Sequence, residues 1–224
     1  GFTLIEIAIV LVIIGLLLGG VLKGQELITS ARVRNLISQQ DGIKAAYFGF
    51  LDRYRALPGD YASATTNING ATVNGNGNGQ IEDPGSGTEE HILVWEHLSK
   101  SGFINGSYTY SAMAPFDNVI PKNAYGSFLQ LVHDGVYGTG SSSPARPNLK
   151  TGNQVPVEMI AEVDRKIDDG DALKGNFQFS IFTNGGTPPS APAGTGGSGT
   201  TCAGTDGIWN VKQGNANCGA ASIF

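Results

Sequence analysis

The first 22 residues constrain the fold of this chain more than any other stretch, because they are almost entirely apolar. The run GFTLIEIAIVLVIIGLLLGGVL carries a single charge, the carboxylate of Glu6. As a helix, about 21 apolar residues span roughly 30 Å, the thickness of a bilayer core. A carboxylate at that depth costs about 2.5 kcal/mol or more, so Glu6 is predicted to have a functional partner.

The helical pattern continues beyond the apolar run and becomes amphipathic after Lys23. Apolar residues recur there at three-, four- and seven-residue steps and share one stripe: Ile28, Ala31, Leu36, Ile43, Tyr47, Phe50 and Tyr54. Pro58 and Gly59 are predicted to end the helix. A helix of this length measures roughly 80 Å, so its apolar half must project from any globule that the other residues form.

The remaining residues predict short elements separated by long loops. Glycine makes up 33 of the 224 residues, and charged residues only 15%. Because glycine disfavours the interior of helices and strands, much of the chain must be loop. The pattern predicts loops over 59–87 and 184–201, and short strands over 103–104, 108–110, 125–133, 176–183 and 208–211.

Two short helices are also predicted in this part of the chain. Ser86 and Glu89 have the spacing of a capping box, and Gly102 is a suitable stop for the helix that follows them. A second helix begins at Pro156 and ends before Gly170. Its apolar face consists of Val157, Ile160, Val163 and Ile167.

Together these elements predict an α+β fold, in which a long N-terminal helix packs on a small antiparallel sheet with long loops. The apolar half of that helix projects from the sheet. Residues 1–54 form the helix, with a transmembrane or filament-core part at 1–24 and an amphipathic part at 25–54. Residues 55–224 form a globular head.

The two cysteines, Cys202 and Cys218, both lie near the end of the chain in a glycine-rich context. An even count and close spacing favour a disulfide, and the alternative is a pair of free buried thiols. Closing a loop of this size removes roughly 3 kcal/mol of conformational freedom from the unfolded chain. A disulfide would place the head outside the cytosol.

The N-terminal hexapeptide GFTLIE and the uncharged apolar helix after it resemble the processing motif of type IV pilins and of the related type II secretion pseudopilins. The resemblance covers residues 1–54, a quarter of the chain. It implies that a prepilin peptidase cuts after Gly1 and methylates the amino group of Phe2. It also implies that Glu6 assists recruitment into a growing fibre, and that the head has a pilin-like fold stapled by a C-terminal disulfide loop.

The resemblance implies a structural subunit of an extracellular filament, and no enzyme. Such a subunit waits in the inner membrane, meets the assembly machinery, and packs its helix against many copies of itself at the cell surface. A minor pilin or a secretion pseudopilin is an alternative within the family. A membrane-anchored, calcium-dependent binding protein is an alternative of another class. The net charge of −5 argues against nucleic acid as a general partner.

Glu6 lies one helical turn from Phe2, which indicates how its charge is neutralised. The amino group of Phe2 in a neighbouring subunit, one turn out of register, would pair with the carboxylate and fix the depth of insertion. The pairing requires that Gly1 be removed, and whether it is retained in the mature chain is open. Glycines at 15, 19, 20 and 24 favour either local unwinding in the filament or close helix packing.

One loop fits part of the calcium-loop template. In NGNGNGQIED, Asn74, Asn76 and Asn78 take the first three ligand positions, and Glu82 the fourth, with Asp83 next to it. The template fails at its twelfth position, where Gly85 replaces the bidentate glutamate. The alternative is a series of turns, because asparagine and glycine both tolerate a left-handed backbone. No cofactor is required, and calcium is the ion that this loop would bind.

A second acidic group offers a further set of oxygen ligands: Asp164, Asp168, Asp169 and Asp171. These carboxylates would either bind calcium or end a helix in contact with solvent. Histidines at 91, 97 and 133 do not have the spacing of a metal triad, so they predict no zinc site. The glycine runs lack the lysine of a phosphate loop, and neither tryptophan predicts a ligand platform.

Overall fold

The longest element of the computed structural model is a 51-residue helix, α1 (Leu4–Tyr54). The structure describes residues 1, 3–83, 87–113, 117–137, 144–181 and 202–224. At 1.5 Å per residue, α1 is about 77 Å long. It ends at Arg55, whose left-handed backbone (φ 54°) lets its N–H donate to the carbonyl of Leu51. The helix therefore stops ahead of Pro58, which is not needed to end it.

The buried face of α1 begins only at Val33 and continues to Phe50. The predicted stripe is confirmed at four of its positions, which are buried: Leu36, Ile43, Tyr47 and Phe50. It is wrong for Ile28 and Ala31, which are exposed because the head does not reach that part of the helix. Residues 4–32 therefore project as one continuous rod.

Four antiparallel strands form the sheet, in the order β1-β2-β4-β3. They are β1 (Gln130–Asp134), β2 (Arg146–Lys150), β3 (Phe177–Phe179) and β4 (Ala220–Ile223). Leu131 lies opposite Leu149, and Lys150 lies opposite Ala221. The last strand is thus inserted between two earlier ones, which ties the end of the chain to its middle. This small antiparallel sheet confirms the predicted α+β class.

In the described part of the chain, three short α-helices accompany the sheet: α2 (Ala64–Asn67), α3 (Glu90–Lys100) and α4 (Val157–Ile167). The prediction of α3 is confirmed, and Gly102 follows it with a φ of 81°. Its N-cap is Glu89, which makes no side-chain capping bond, so the predicted capping box is wrong in its position. Its other member, Ser86, lies outside the described residues. The predicted loop over 59–87 also contains α2.

The helix α4 starts directly after Pro156 and ends before Gly170, as predicted. Val157, Ile160 and Val163 are buried on its predicted apolar face. Ile167 is 38% exposed, because the chain turns away at Asp168 and leaves the last turn uncovered.

Several predicted strands are absent or shorter in the described residues. No strand forms at 103–104 or 108–110, because α3 takes the backbone N–H groups there: Tyr110 donates to the Glu96 carboxylate and Tyr108 to the Ser99 hydroxyl. Of the predicted strand 208–211, only a single bridge between Ala203 and Trp209 is found, followed by a 3-10 helix, Val211–Gln213. The strands predicted over 125–133 and 176–183 shorten to β1 and β3, and the predicted loop 184–201 lies outside the described residues.

Two apolar clusters hold α1 against the head. The α4 cluster joins Val33 and Leu36 to α4, β3 and β4, and it contains the Cys202–Cys218 disulfide. The α3 cluster joins the α1 residues from Ile43 to Phe50 to α3, β1 and β2. Trp209 lies in the first cluster and Trp95 in the second, so both tryptophans are core residues.

Candidate functional site

The N-terminal half of α1 is exposed along its whole length. Fourteen large apolar side chains between Leu4 and Leu22 have exposed fractions from 46% to 93%. Within the described residues, α1 is the one helix long and apolar enough to cross a membrane. A core helix would bury such a surface, but the most apolar part of α1 is 0% buried. This half of the helix therefore needs an apolar environment that a single chain does not provide.

The carboxylate of Glu6 has a partner within its own chain. Oε2 accepts hydrogen bonds from the backbone N–H of Thr3 at 2.7 Å and from its hydroxyl at 2.8 Å. In return, the Glu6 N–H donates to the Thr3 hydroxyl at 3.4 Å, which completes a capping box at the start of α1. Phe2, the predicted methylation site, lies outside the described residues, whereas Gly1 is described and exposed.

The four glycines of the apolar half do not interrupt the helix. It is continuous through Gly15, Gly19, Gly20 and Gly24, and a Cβ at any of them would meet nothing within 4 Å. Their missing side chains therefore serve no contact within one chain. Unwinding and close packing both concern an assembled state, so both stay predictions.

The asparagine loop brings together three of the five side chains predicted for calcium. The side-chain amides of Asn76 and Asn78 donate to the same oxygen of Glu82, at 2.9 and 2.7 Å. Asn74 lies apart, with its carbonyl oxygen accepting from the N–H of Thr65. The side chain of Asp83 is directed towards α3 instead. Gly85, at the failing template position, lies outside the described residues.

Two carboxylates from outside this loop fix its backbone. Asp60 accepts the N–H groups of Asn78 and Gly79, both at 2.9 Å. Glu90 of α3 accepts those of Asn76 at 2.8 Å and Glu82 at 3.2 Å. Burial raises the pKa of Glu90, and the two backbone donors offset part of that rise. Contact with the loop therefore favours the ionised form of this carboxylate. Asp60 and Glu90 thus fix the backbone of the loop, and the side chains of Asn76 and Asn78 both contact the carboxylate of Glu82.

The second predicted acidic group is only partly assembled. One oxygen from each of Asp164, Asp168 and Asp169 lies within 4.8 Å of the other two. Asp171 does not join them, because it pairs with Lys174 at 2.7 Å. Trp209 donates to Asp164 at 2.6 Å, and Phe177 donates its N–H to Asp168 at 2.8 Å. The carboxylates therefore end α4 and anchor β3.

A different cluster lies where the loop before α3 meets that helix. It contains Asp83, Glu89 and His91, and one ligand atom of each lies within 4.8 Å of the other two. Burial lowers the pKa of His91 to about 4. Burial, and next the charge of Glu89, raise the pKa of Asp83. Histidine spacing gave no sign of this cluster, since only one imidazole takes part.

A buried lysine lies behind this cluster. Lys150 of β2 has a fully buried side chain, and its Nζ donates to Asp134 at 2.6 Å and to Gln130 at 2.8 Å. Burial lowers the pKa of Lys150 to about 8. Gln130 in turn donates to Asp83 at 3.2 Å, which links the sheet to the cluster.

Comparison of the chain with protein-family models, with curated proteins and with solved structures found no match. The functional argument therefore depends on the residues and their geometry. Sequence reasoning missed Glu89 and His91 as members of one site. The sequence offered one signal, which is that the three residues are close together in the chain. Asp83 comes six residues before Glu89, and His91 comes two residues after it.

Proposed function

We propose that this chain is the structural subunit of a type IV pilus-like extracellular filament. The observation that carries the proposal is the exposed, continuous apolar half of α1 beyond the end of the head. A side chain the size of leucine contributes about 1.5–3 kcal/mol when it leaves water. Leaving fourteen such side chains in water would be costly, so the rod must lie in a bilayer or against the rods of other copies.

The proposed sequence of events follows from the N-terminal motif. The subunit is held in the inner membrane by the apolar half of α1, and a prepilin peptidase cuts it after Gly1. The amino group of Phe2 then pairs with Glu6 of a neighbouring copy as lipid contacts are replaced by helix contacts. In that step the Thr3 capping bonds to Glu6 would be exchanged for a charged partner.

Electron microscopy of sheared cell-surface material tests the proposal. We expect uniform fibres composed of this chain, and mass analysis of them to give an N-terminus at methylated Phe2. Leu16→Glu, on the exposed half of α1, should abolish the fibres. Met113→Glu, which changes an equally exposed residue of the head, should leave them intact. Cells that make the chain and shed no such fibre would contradict the proposal.

A second candidate is a membrane-anchored protein that acts as a single subunit. The capping box favours it, because Thr3 already satisfies the Glu6 carboxylate without a neighbouring chain. In this case Glu6→Gln would leave the surface level and the state of association unchanged. In the filament, the same substitution removes the charge that pairs with Phe2, and it should lower fibre yield at least tenfold.

A further inference from the structure

Two carboxylates and one imidazole converge at the N-terminal end of α3. Nδ1 of His91 lies 3.6 Å from Oδ1 of Asp83 and 3.5 Å from Oε2 of Glu89. Asp83 belongs to the loop before the helix, Glu89 is the N-cap, and His91 is the second helical residue. The three side chains therefore come from one short region that the helix holds in place.

The ring of His91 is a polar group in the interior without an explained partner. The residue is 2% exposed, and neither ring nitrogen makes a hydrogen bond of normal length and angle to a described residue, although the backbone of Glu82 lies near the ring. An unsatisfied buried polar group costs about 1–3 kcal/mol. Nδ1 is directed at two carboxylate oxygens, but at separations well beyond the usual length of about 2.9 Å for an N–H···O bond.

These separations match those between ligands of a single tetrahedral ion. Zn²⁺ binds imidazole nitrogen and carboxylate oxygen at about 2.0–2.2 Å, so two such ligands at the tetrahedral angle are about 3.4 Å apart. An octahedral ion with bonds of about 2.1 Å would bring neighbouring ligands to about 3.0 Å. The 3.5 and 3.6 Å separations exceed this value and fit a tetrahedral ion, and an ion with longer bonds of about 2.4 Å would fit them as well, so the choice of ion depends on the imidazole ligand.

We propose that Asp83, Glu89 and His91 bind one Zn²⁺ ion, or a transition-metal dication of similar chemistry, with a fourth position open to water. An imidazole ligand favours this class over calcium, which prefers oxygen ligands alone. The side chain of Glu89 is 16% exposed, so the ion can reach the site from solvent at that residue. In this site Asp83 is a zinc ligand, and it is no longer a ligand of the calcium loop that was predicted with the asparagines.

The surroundings fit an ion with two positive charges. The ammonium of Lys150 is paired with Asp134 at 2.6 Å and its charge also reaches Asp83 and His91, so the two carboxylates Asp83 and Glu89 would have to hold the dication beside this cation. Gln130 donates to Oδ2 of Asp83, the oxygen that does not face His91, and so orients this ligand from behind.

Zinc titration of the full chain in detergent micelles, after removal of metal with a chelator, tests the proposal. We expect one Zn²⁺ per chain by elemental analysis and a higher melting temperature with zinc. His91→Gln should weaken zinc binding at least tenfold and remove the thermal shift. If His91→Gln does not fold, Glu89→Gln at the rim should have the same effect. Co²⁺ should give the intense visible absorption of a four-coordinate ion.

A matched control distinguishes this site from the other acidic group. Asp169→Asn removes an exposed carboxylate of that group and should bind zinc as the unchanged chain does. The proposal fails if the chain binds no zinc, if His91→Gln and Glu89→Gln bind it as tightly as before, or if Asp169→Asn loses it. It also fails if Ca²⁺ displaces Zn²⁺ at equal concentration.

Discussion

The indole N–H of Trp209 donates a 2.6 Å hydrogen bond to the buried carboxylate of Asp164. The bond connects the disulfide loop to α4 inside the α4 cluster. Burial raises the pKa of Asp164 from 3.8 to about 6, despite this donor, and the charges of Asp169 and Asp168 add to the shift.

A pH dependence of stability follows from that shift. The folded chain holds a proton on Asp164 between pH 3.8 and 6 that the unfolded chain has lost, so stability falls as the pH rises through this window. The loss is about 3 kcal/mol. Asp164→Asn keeps an acceptor for Trp209 and should flatten the profile, as measured by denaturation at several pH values. The exposed variant Asp52→Asn should retain it.

Loss of the disulfide should destabilise the head through the α4 cluster. The bond joins residues 16 apart in the chain, and both cysteines are buried against α4 and β4. Replacing Cys202 and Cys218 with serine should lower the free energy of unfolding by about 3 kcal/mol. Tryptophan fluorescence during urea denaturation measures this. A reducing agent should weaken the unchanged chain by a similar amount and leave the double variant unaffected.

Two glycines of the asparagine loop should respond differently to alanine. A Cβ on Gly75 would collide with the backbone of Gly59 and Asp60, where two segments touch. Gly75→Ala should therefore cost about 2 kcal/mol or more. Gly79 has a φ of 86° but open space around it, so Gly79→Ala should cost only about 1 kcal/mol, from backbone strain. Equal melting temperatures for the two variants would contradict the described contact.

The buried carboxylate of Glu96 should be among the most sensitive groups of the head. It is fully buried and accepts the N–H groups of Thr72 and Tyr110, both at 2.6 Å. Glu96→Gln turns an amide NH₂ towards one of these donors and should cost about 2 kcal/mol or more. Glu26→Gln, which removes an exposed pair with Lys23, should cost at most about 0.5 kcal/mol. Thermal unfolding of both variants in detergent checks the contrast.

The sequence was most informative where one residue type decides the local structure. The apolar run and the stripe after it predicted α1, because a 3.6-residue period leaves few other folds. Pro156 marked the start of α4, since proline suits the start of a helix, and Gly170 marked its end to within three residues. Two cysteines in a short glycine-rich segment predicted their own disulfide.

The two central strands were missed for physical reasons. RPNLK in β2 contains proline, asparagine and two cations, and the buried Lys150 is compensated by contacts of its ammonium with Asp134 and Gln130 of β1. AASI in β4 is too small and too uniform to show a period of two. Both strands depend on neighbours distant in the chain. The local sequence pattern of a strand does not show which distant residues it will pair with.

The point along α1 at which burial begins has a consequence for how this chain can change over time. Residues 4–32 contribute almost nothing to the folding of the head, and residues from Val33 onward secure it. A substitution in the rod therefore changes how the helix packs in its apolar surroundings. A substitution at or beyond Val33 changes the packing inside one subunit. A single uninterrupted helix is therefore subject to two different constraints, one on each side of Val33.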